Sequence, residues 1–436
     1  MKTTKKNNRL LRIVLTLIVI LPGIASTASS ETLQDAWKQA LGENRGYRST
    51  QQNAEAAAST VDAAKALKWG RADLSAGFIK IEDQQALKAD LMGQNVLVPI
   101  FEEESLSYGL IATLPIYTGG RISEGIGAAQ SLHAAALDQV STHEQNLKMK
   151  VANAYVTVLR AKRILRQAQS HVKNLQAHQY DVEGLYKQGM VIVSDKLSVQ
   201  VALADARQGV LKAKNGLDLA KAAYNNLLMR PLEADVALEE TQAVNDLSDA
   251  SLDDLTLMAL ENRKELHTYE NSITALGHKK KVIQGGKLPQ VGIIGGYLYQ
   301  EDDYLENEGN WMVGVQVKMN LFDGREKTYK EQAVSRQVRA LHSKLSELRA
   351  LISLQVRQAW LDKIETGKRI RVTEEATALA EENLKVVRDR YVNGFTSHTE
   401  VLDAETLRVN SQTNAANAFY DWILARFCLK YSLGRL

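Results

Sequence analysis

Two stretches of the chain carry tyrosine, glycine and acidic residues at matching intervals: YKQGMVIVSDKLSVQ, Tyr186 to Gln200, and YVNGFTSHTEVLDAE, Tyr391 to Glu405. The second follows its glycine with three carboxylates, Glu400, Asp403 and Glu405. Carboxylates in the first turn of a helix are favoured by its dipole, and Ser397 with Glu400 fits a capping box, so Glu400 has a purely structural use. Asp403 sits one turn further in, where a cap has no need of it. Ser194 and Asp195 fit a cap in the first stretch in the same way. Gly189 and Gly394 supply the left-handed backbone that a turn between helices needs.

Other chemistry is missing by motif. The eight histidines, His133, His143, His171, His178, His267, His278, His342 and His398, are scattered, and none has metal-ligand spacing to a second histidine with an acid or cysteine. They read as surface or packed residues, and neither a metal nor a cofactor is expected. The GGR and GGK triplets lack the rest of a phosphate loop, and no serine, histidine and acid set stands out. The chain is not expected to be an enzyme, so any energy its function uses comes from a partner.

The elements that position the two acidic stretches begin after a leader. Five basic residues precede an apolar run from Ile13 to Leu21, followed by small residues around Ala25 and Ala28. That order predicts a secretory signal peptide over 1–28, too short in its apolar part for a membrane-spanning anchor. Its removal takes Lys2, Lys5, Lys6, Arg9 and Arg12 and no acids, so the formal charge goes from +3 to 3 minus 5, or −2. Nucleic acid loses its main support as a partner. The single cysteine, Cys428, excludes an intramolecular disulfide and a lipid at the cleavage point. Only 5 prolines in 436 residues point to long uninterrupted elements.

The rest of the chain is a duplication. TLQDAWKQALGENR (Thr32 to Arg45) answers SLDDLTLMALENR (Ser251 to Arg263), LPIYTGG answers MNLFDGR, and VANAYVTV (Val151 to Val158) answers VRQAWLDK (Val356 to Lys363). An offset of 394 minus 189, or 205 residues, also sets Tyr186 opposite Tyr391. The expected organisation is a first repeat over 29–229, a linker over 230–250 and a second repeat over 251–436. Each repeat runs helix, two strands, long helical hairpin.

Helices are expected from Leu33 to about Lys68 and from Leu252 to about Ile283. In WMVGVQVKMNLF, Trp311, Val313, Val315, Val317 and Met319 alternate with Gly314, Gln316, Lys318 and Asn320, which is strand, paired in a hairpin with PQVGIIGGYLYQ. ADLSAGFIKI and SLSYGLIATLPIY play the same parts in the first repeat, with Leu106, Tyr108, Leu110, Ala112 and Leu114 on one face. Strands of about ten residues match a tilted transmembrane strand, although a half-buried sheet of a soluble domain shows the same period. Four strands per chain cannot close a barrel, so a membrane reading demands an oligomer. From Gly119 to Gly189 and from Gly324 to Gly394 there is no proline and the apolar spacing is helical; 70 residues make a helix of about 105 Å. Return helices of half that length predict a column with a sheet end and a turn end.

The two-fold repeat, NAYVTVLRA (Asn153 to Ala161), the corners LPIYTGGR and LFDGR, and the paired turns QGMVIVSD and NGFTSHTEVLDAE together resemble the TolC family of outer-membrane channel proteins over essentially the whole mature chain. The resemblance implies an α+β membrane protein. Its homotrimer closes a 12-stranded transmembrane β-barrel, four strands per chain, continued by a long periplasmic α-helical barrel. It implies outer-membrane lipid around the barrel, a periplasmic adaptor protein as partner, and an inner-membrane transporter reached through the adaptor. By motif position, Glu400 and Asp403 match acidic rings at a periplasmic constriction, and Asp195 and Tyr391 match a linked pair that holds the gate. Gly189, Met190, Ser194, Gly394, Phe395 and Thr399 match the tip turns where the adaptor docks. Thr396 stands where some members carry a basic latch residue, which implies a looser gate.

The expected function is the outer-membrane exit duct of a tripartite efflux or type I secretion system in the Gram-negative envelope, passive and gated at its helical tip. Two rivals stay open on the residues alone. A periplasmic adaptor also carries long helical hairpins but needs compact β-rich domains flanking one of them. An elongated soluble helical scaffold leaves the alternating strands and the leader without purpose. The candidate lumen residues Gln316, Lys318 and Asn320 do not discriminate among drugs, metal ions and proteins as cargo.

Overall fold

The structure, a computed structural model, describes residues 30–82, 86–91, 93–100, 102–240, 250–303 and 306–436. The expected signal peptide, and residues 241–249 of the expected linker, lie outside the described residues.

The helices repeat in length. α1 (Leu33–Glu43) and α2 (Arg45–Ala66) have 11 and 22 residues, as do α5 (Leu252–Asn262) and α6 (Lys264–Gly285). The long helices α3 (Arg121–Lys187) and α7 (Glu326–Val392) have 67 residues each, and their return helices α4 (Val193–Leu227) and α8 (His398–Ser432) have 35 each. At 1.5 Å per residue the long helices reach about 100 Å. Among the described residues, no helix is long and apolar enough to cross a membrane.

The helices expected from Leu33 and from Leu252 are each broken in two. Asn44 leaves helical geometry with ψ 118°, and its side chain accepts from the Tyr47 amide, so it ends α1 and caps α2 at once. Arg263 makes the matching break with ψ 110° and cannot cap; instead its guanidinium donates to the Ser432 carbonyl at 3.3 Å. Asn44 likewise donates to the carbonyl of Leu227, 205 residues before Ser432. Each break therefore clamps the end of a return helix.

Six strands are described rather than four. β1 (Arg71–Lys80), β4 (Glu104–Tyr117), β5 (Gln290–Gln300) and β6 (Gly309–Lys318) form one antiparallel sheet in the order β1-β4-β5-β6. The hairpin β2 (Ala86–Leu91) and β3 (Gln94–Pro99) stands apart from it, on the connection from β1 to β4. Its signal was present in the alternation of Leu87, Ala89 and Leu91 with Lys88 and Asp90. β6 stops at Lys318, so Met319 to Phe322 lie beyond the strand that the alternation suggested.

Register sorts the main sheet into two faces, because residues directly opposite each other share a face. Phe78, Leu106 and then Tyr108, Tyr299 pair on one face, as do Leu74, Leu110, Tyr297 and Trp311, and further along Leu114, Ile293 and Val315. The other face pairs Ser75 with Gly109, Ser107 with Gln300, and Gly292 with Gln316. Trp311, Val313 and Val315 are 81%, 86% and 71% exposed, which water would not favour for an apolar face of this extent. Tyr108 stacks on Tyr299 and Tyr297 packs on Trp311 at the end of the sheet away from the helices, while Trp69, Tyr117 and Phe322 lie exposed at the helical end. An apolar band between two sets of aromatic side chains is the surface that a bilayer selects.

The core runs along the helices in separate clusters. The largest joins α1, α3, α4 and α8 around Tyr155, Tyr224 and Leu228, and a second joins α5, α7 and the end of α8 around Leu255, Ile352 and Leu433. Corner glycines bring the sheet and the helices together: a Cβ on Gly119 would lie 2.4 Å from the Gly285 carbonyl oxygen, so only a glycine fits there.

Candidate functional site

The two turns at the far end of the helical column are built alike. In the first, Gly189 has φ +72°, its N–H donates to Tyr186, and the Met190 N–H donates to Leu185 at 2.9 Å. In the second, Gly394 has φ +75°, with Gly394 donating to Tyr391 and Phe395 to Arg390 at 2.8 Å. Each is a helix end closed by a glycine in the left-handed region, with the outgoing amides returned to the last carbonyls.

The sequence-predicted residues fall into three places. Met190 and Phe395 are 69% and 75% exposed at the tips of the turns, beside the exposed Ile192 and Val193. Ser194 and Thr399 are exposed in the first turns of α4 and α8 rather than in the turns themselves. Ser194 does not cap: the residue preceding α4 is Ile192, which has no side-chain cap. Ser397 does cap α8, accepting from the Glu400 amide at 3.4 Å, so Glu400 begins a capped helix as its spacing suggested. Glu400 and Asp403 are both exposed on the first turns of α8. Glu405, the third carboxylate, is buried.

The hydrogen bond expected between Asp195 and Tyr391 is not formed. Tyr391 is buried in an apolar cluster with Val182, Val199, Leu384, Val387 and Val401, and its hydroxyl has no hydrogen-bond partner. Its ring sits edge-on to His178 at 5.4 Å, so aromatic packing sets its orientation. Asp195 faces a base instead, with Oδ1 3.7 Å from His398 Nε2. The carboxylate still acts on the phenol through space: burial first, then Asp195 and Asp181, raise the Tyr391 pKa.

Glu405 anchors a second polar group, further up the same helices. It accepts from Arg408 at 2.6 and 3.1 Å and from Asn174 at 3.2 Å, and His171 Nδ1 lies 3.1 Å away. Burial pushes this carboxyl upward, but the hydrogen bonds from His171, Arg408 and Asn174 and the Arg408 charge outweigh it and hold the pKa at about 2. Sequence reading missed this group and the packing of His178 against His398. Arg408 stands three residues along the same helix, but His171 and Asn174 come from the other hairpin, as His178 does for His398, and no local spacing records that. Among the described residues no group of three or more histidines, cysteines and acids is placed to hold a metal ion.

A membrane-facing antiparallel sheet joined to a helical column about 100 Å long, built twice in one chain, is the architecture of an outer-membrane channel with a periplasmic extension. The family model described as outer membrane efflux protein matches residues 36–228 and 255–435, and the chain belongs to that family, the TolC channels. It is 22% identical to outer membrane protein TolC of Vibrio cholerae over 434 residues, 95% of this chain and 93% of that protein. It is also 22% identical to the alkaline protease secretion protein AprF of Pseudomonas aeruginosa over 316 residues, 71% of this chain and 65% of that one. Among solved structures, the outer-membrane channel OprN superposes with a TM-score of 0.79 at 18% identity, covering 93% of this chain and 90% of that one. The protein resides in the outer membrane, reaches into the periplasm and acts as a passive channel rather than an enzyme.

Proposed function

We propose that this channel is a homotrimeric exit duct of a tripartite efflux or type I secretion system. The observation that carries the reading is the main sheet: its apolar face is exposed, and its first and last strands, β1 and β6, each have a free edge. An open edge is not tolerated in lipid, so β1 of one protomer pairs with β6 of the next, and three protomers of four strands give a twelve-stranded barrel. The small and polar face, with Gln316 and Lys318, then lines the lumen. Residues 29–229 and 251–436 act as the two repeats and 230–250 as the segment joining them. Belonging to the TolC family supports this assembly, and with it a periplasmic adaptor and, through the adaptor, an inner-membrane transporter. The similarity to a protein named for protease secretion favours neither cargo class by itself.

In this reading the turns at Gly189 and Gly394 form the periplasmic tip, and exposed Met190 and Phe395, with Ser194 and Thr399 behind them, offer the adaptor an apolar docking edge. Asp403 and Glu400, exposed next to the second turn, form acidic rings when repeated three-fold about the axis. Such rings attract cations and resist anions. Tyr391 holds the hairpins together by packing, and Asp195 faces His398 across them.

Single-channel recording of the purified trimer in a planar bilayer under a salt gradient tests this. Small cation-selective steps are expected, with Asp403→Ala, alone or with Glu400→Ala, moving the reversal potential toward zero. An unchanged reversal potential removes the acidic ring; absence of any insertion removes the duct.

A further inference from the structure

Four helices contribute one side chain each to a buried polar node just above the tip turns: His178 from α3, Asp195 from α4, Tyr391 from the end of α7 and His398 from the start of α8. His178 stacks on His398 with centroids 6.4 Å apart and meets the edge of Tyr391 at 5.4 Å. These three residues are only 2%, 6% and 7% exposed. His178 Nε2, His398 Nδ1, the Tyr391 hydroxyl and the neighbouring Thr396 hydroxyl have no hydrogen-bond partner. Buried polar groups left unpaired weaken the state that buries them, so the closed packing of the two hairpins is poised rather than maximally stable here.

We propose that this node is a proton-operated latch: with His178 neutral it holds the first hairpin against the second, and a proton taken up there on acidification releases it and opens the tip. The inference rests on the gate reading given above and adds a regulator to it.

The charges around the node favour release. Arg388 and Tyr391 face His178 from α7, His398 and Glu405 from α8, and Asp195 reaches the node from α4, while Asp181 lies on α3 itself. Glu405 is already committed to Arg408, His171 and Asn174 and has little to offer a new cation. Asp195 lies near His398 Nε2. A proton on His178 therefore enters a buried site beside a guanidinium and a second imidazole. Burial first, then Arg388 and His398, against Glu405, hold the His178 pKa at about 4, below its ordinary 6.5. A cleft lined by Asp195, Tyr391, Thr396 and His398 opens beside the node and gives solvent protons a way in.

Opening of the hairpins solvates His178 and returns it toward its ordinary value, so the open state binds the proton more tightly. A pKa depressed in the closed state means that closure is fully favoured above about pH 6.5 and is lost as pH falls through about 4. For this one residue the closed-to-open ratio drops about 30-fold between pH 7.5 and pH 5.

The experiment is conductance of the reconstituted trimer at pH 7.5 and pH 5, with His178→Gln and His178→Phe recorded after trimer formation is verified. The parent is expected to open more at pH 5, with the population of the open state rising toward 30-fold, and the His178 variants are expected to lose most of that rise. A parent whose conductance is the same at both pH values overturns the latch. So does any folded His178 variant that keeps the full acid response, because a carboxylate would then carry it. Asp403→Ala in the same bilayers separates this failure from that of the gate: lost cation selectivity with no acid opening retains the gate and removes only the latch, whereas unchanged selectivity removes the gate itself.

Discussion

The two tip turns share one backbone and almost nothing else. Tyr186 and Tyr391 occupy equivalent positions, yet Tyr186 is 38% exposed beneath Lys196, whose ammonium lies 5.3 Å from the ring centre, while Tyr391 is buried against the other hairpin. The first turn is followed by Ile192 and Val193, both exposed; the second has Ser397 and His398 at those places, one capping the helix and the other buried. Further along, Gln200 is exposed where Glu405 is buried, and Leu203 stands where Arg408 pairs with it. The repeat gives both ends one backbone plan, and the side chains differ between them. The first turn is followed by exposed Ile192 and Val193, and the second carries the buried polar contacts and the carboxylates.

The strongest test of that difference is at the equivalent pair Glu405 and Gln200. Glu405→Ala leaves Arg408 buried without its partner and is expected to cost about 3–5 kcal/mol, whereas Gln200→Ala stays within about 0.5 kcal/mol. Thermal unfolding of the two variants reads both. The depressed Glu405 pKa has its own consequence for pH. Its contribution of about 3 kcal/mol is fully present above pH 4.5 and is lost as pH falls through about 2, so the parent loses stability in strong acid and Glu405→Ala does not lose this part of it. Equal melting of the two alanine variants would mean that the second hairpin is no more specialised than the first.

A smaller effect tests what the turns still share. Gly189→Ala and Gly394→Ala put a Cβ on left-handed backbone, and in both cases that Cβ meets nothing within 4 Å. The cost is conformational alone and is expected to be about 1–2 kcal/mol, the same at each turn. Thermal unfolding of the two variants side by side checks it. A clear difference between them would show that one turn is held by contacts the other lacks.

Much of this architecture was legible in the chain, for identifiable reasons. The absence of proline between Gly119 and Gly189 and between Gly324 and Gly394 allows a 67-residue helix in each interval, and the period-two runs around Tyr108 and Trp311 mark the sheet. The breaks at Asn44 and Arg263 were hidden because a helix can be interrupted by one residue whose side chain finds a distant carbonyl, and that carbonyl lies at the end of another helix. The proposed gate residues were picked out by motif alone, and their partners were not. His178 meets His398 across 220 residues, and Glu405 meets Asn174 and His171 across more than 230. Those pairings depend on how two hairpins lie against each other, which local spacing does not encode. The end of the return helices shows the same limit in miniature: Gly434 takes its positive φ without strain, and its equivalent Met229 takes φ 56° with a side chain attached.

The smallest expected effect is the one that most sharpens the picture of the second turn. A tyrosine hydroxyl that bonded to Asp195 would make Tyr391→Phe loosen the gate and raise conductance. In the structure that hydroxyl is buried without a partner, and Asp195 faces His398. Replacing it with hydrogen removes a polar atom that gains nothing from burial and leaves the ring packed on His178 and Val387. Tyr391→Phe is therefore expected to unfold within about 0.5 kcal/mol of the parent and to conduct like it at pH 7.5. A raised conductance in planar bilayers would instead place the phenol in a bond that holds the hairpins together.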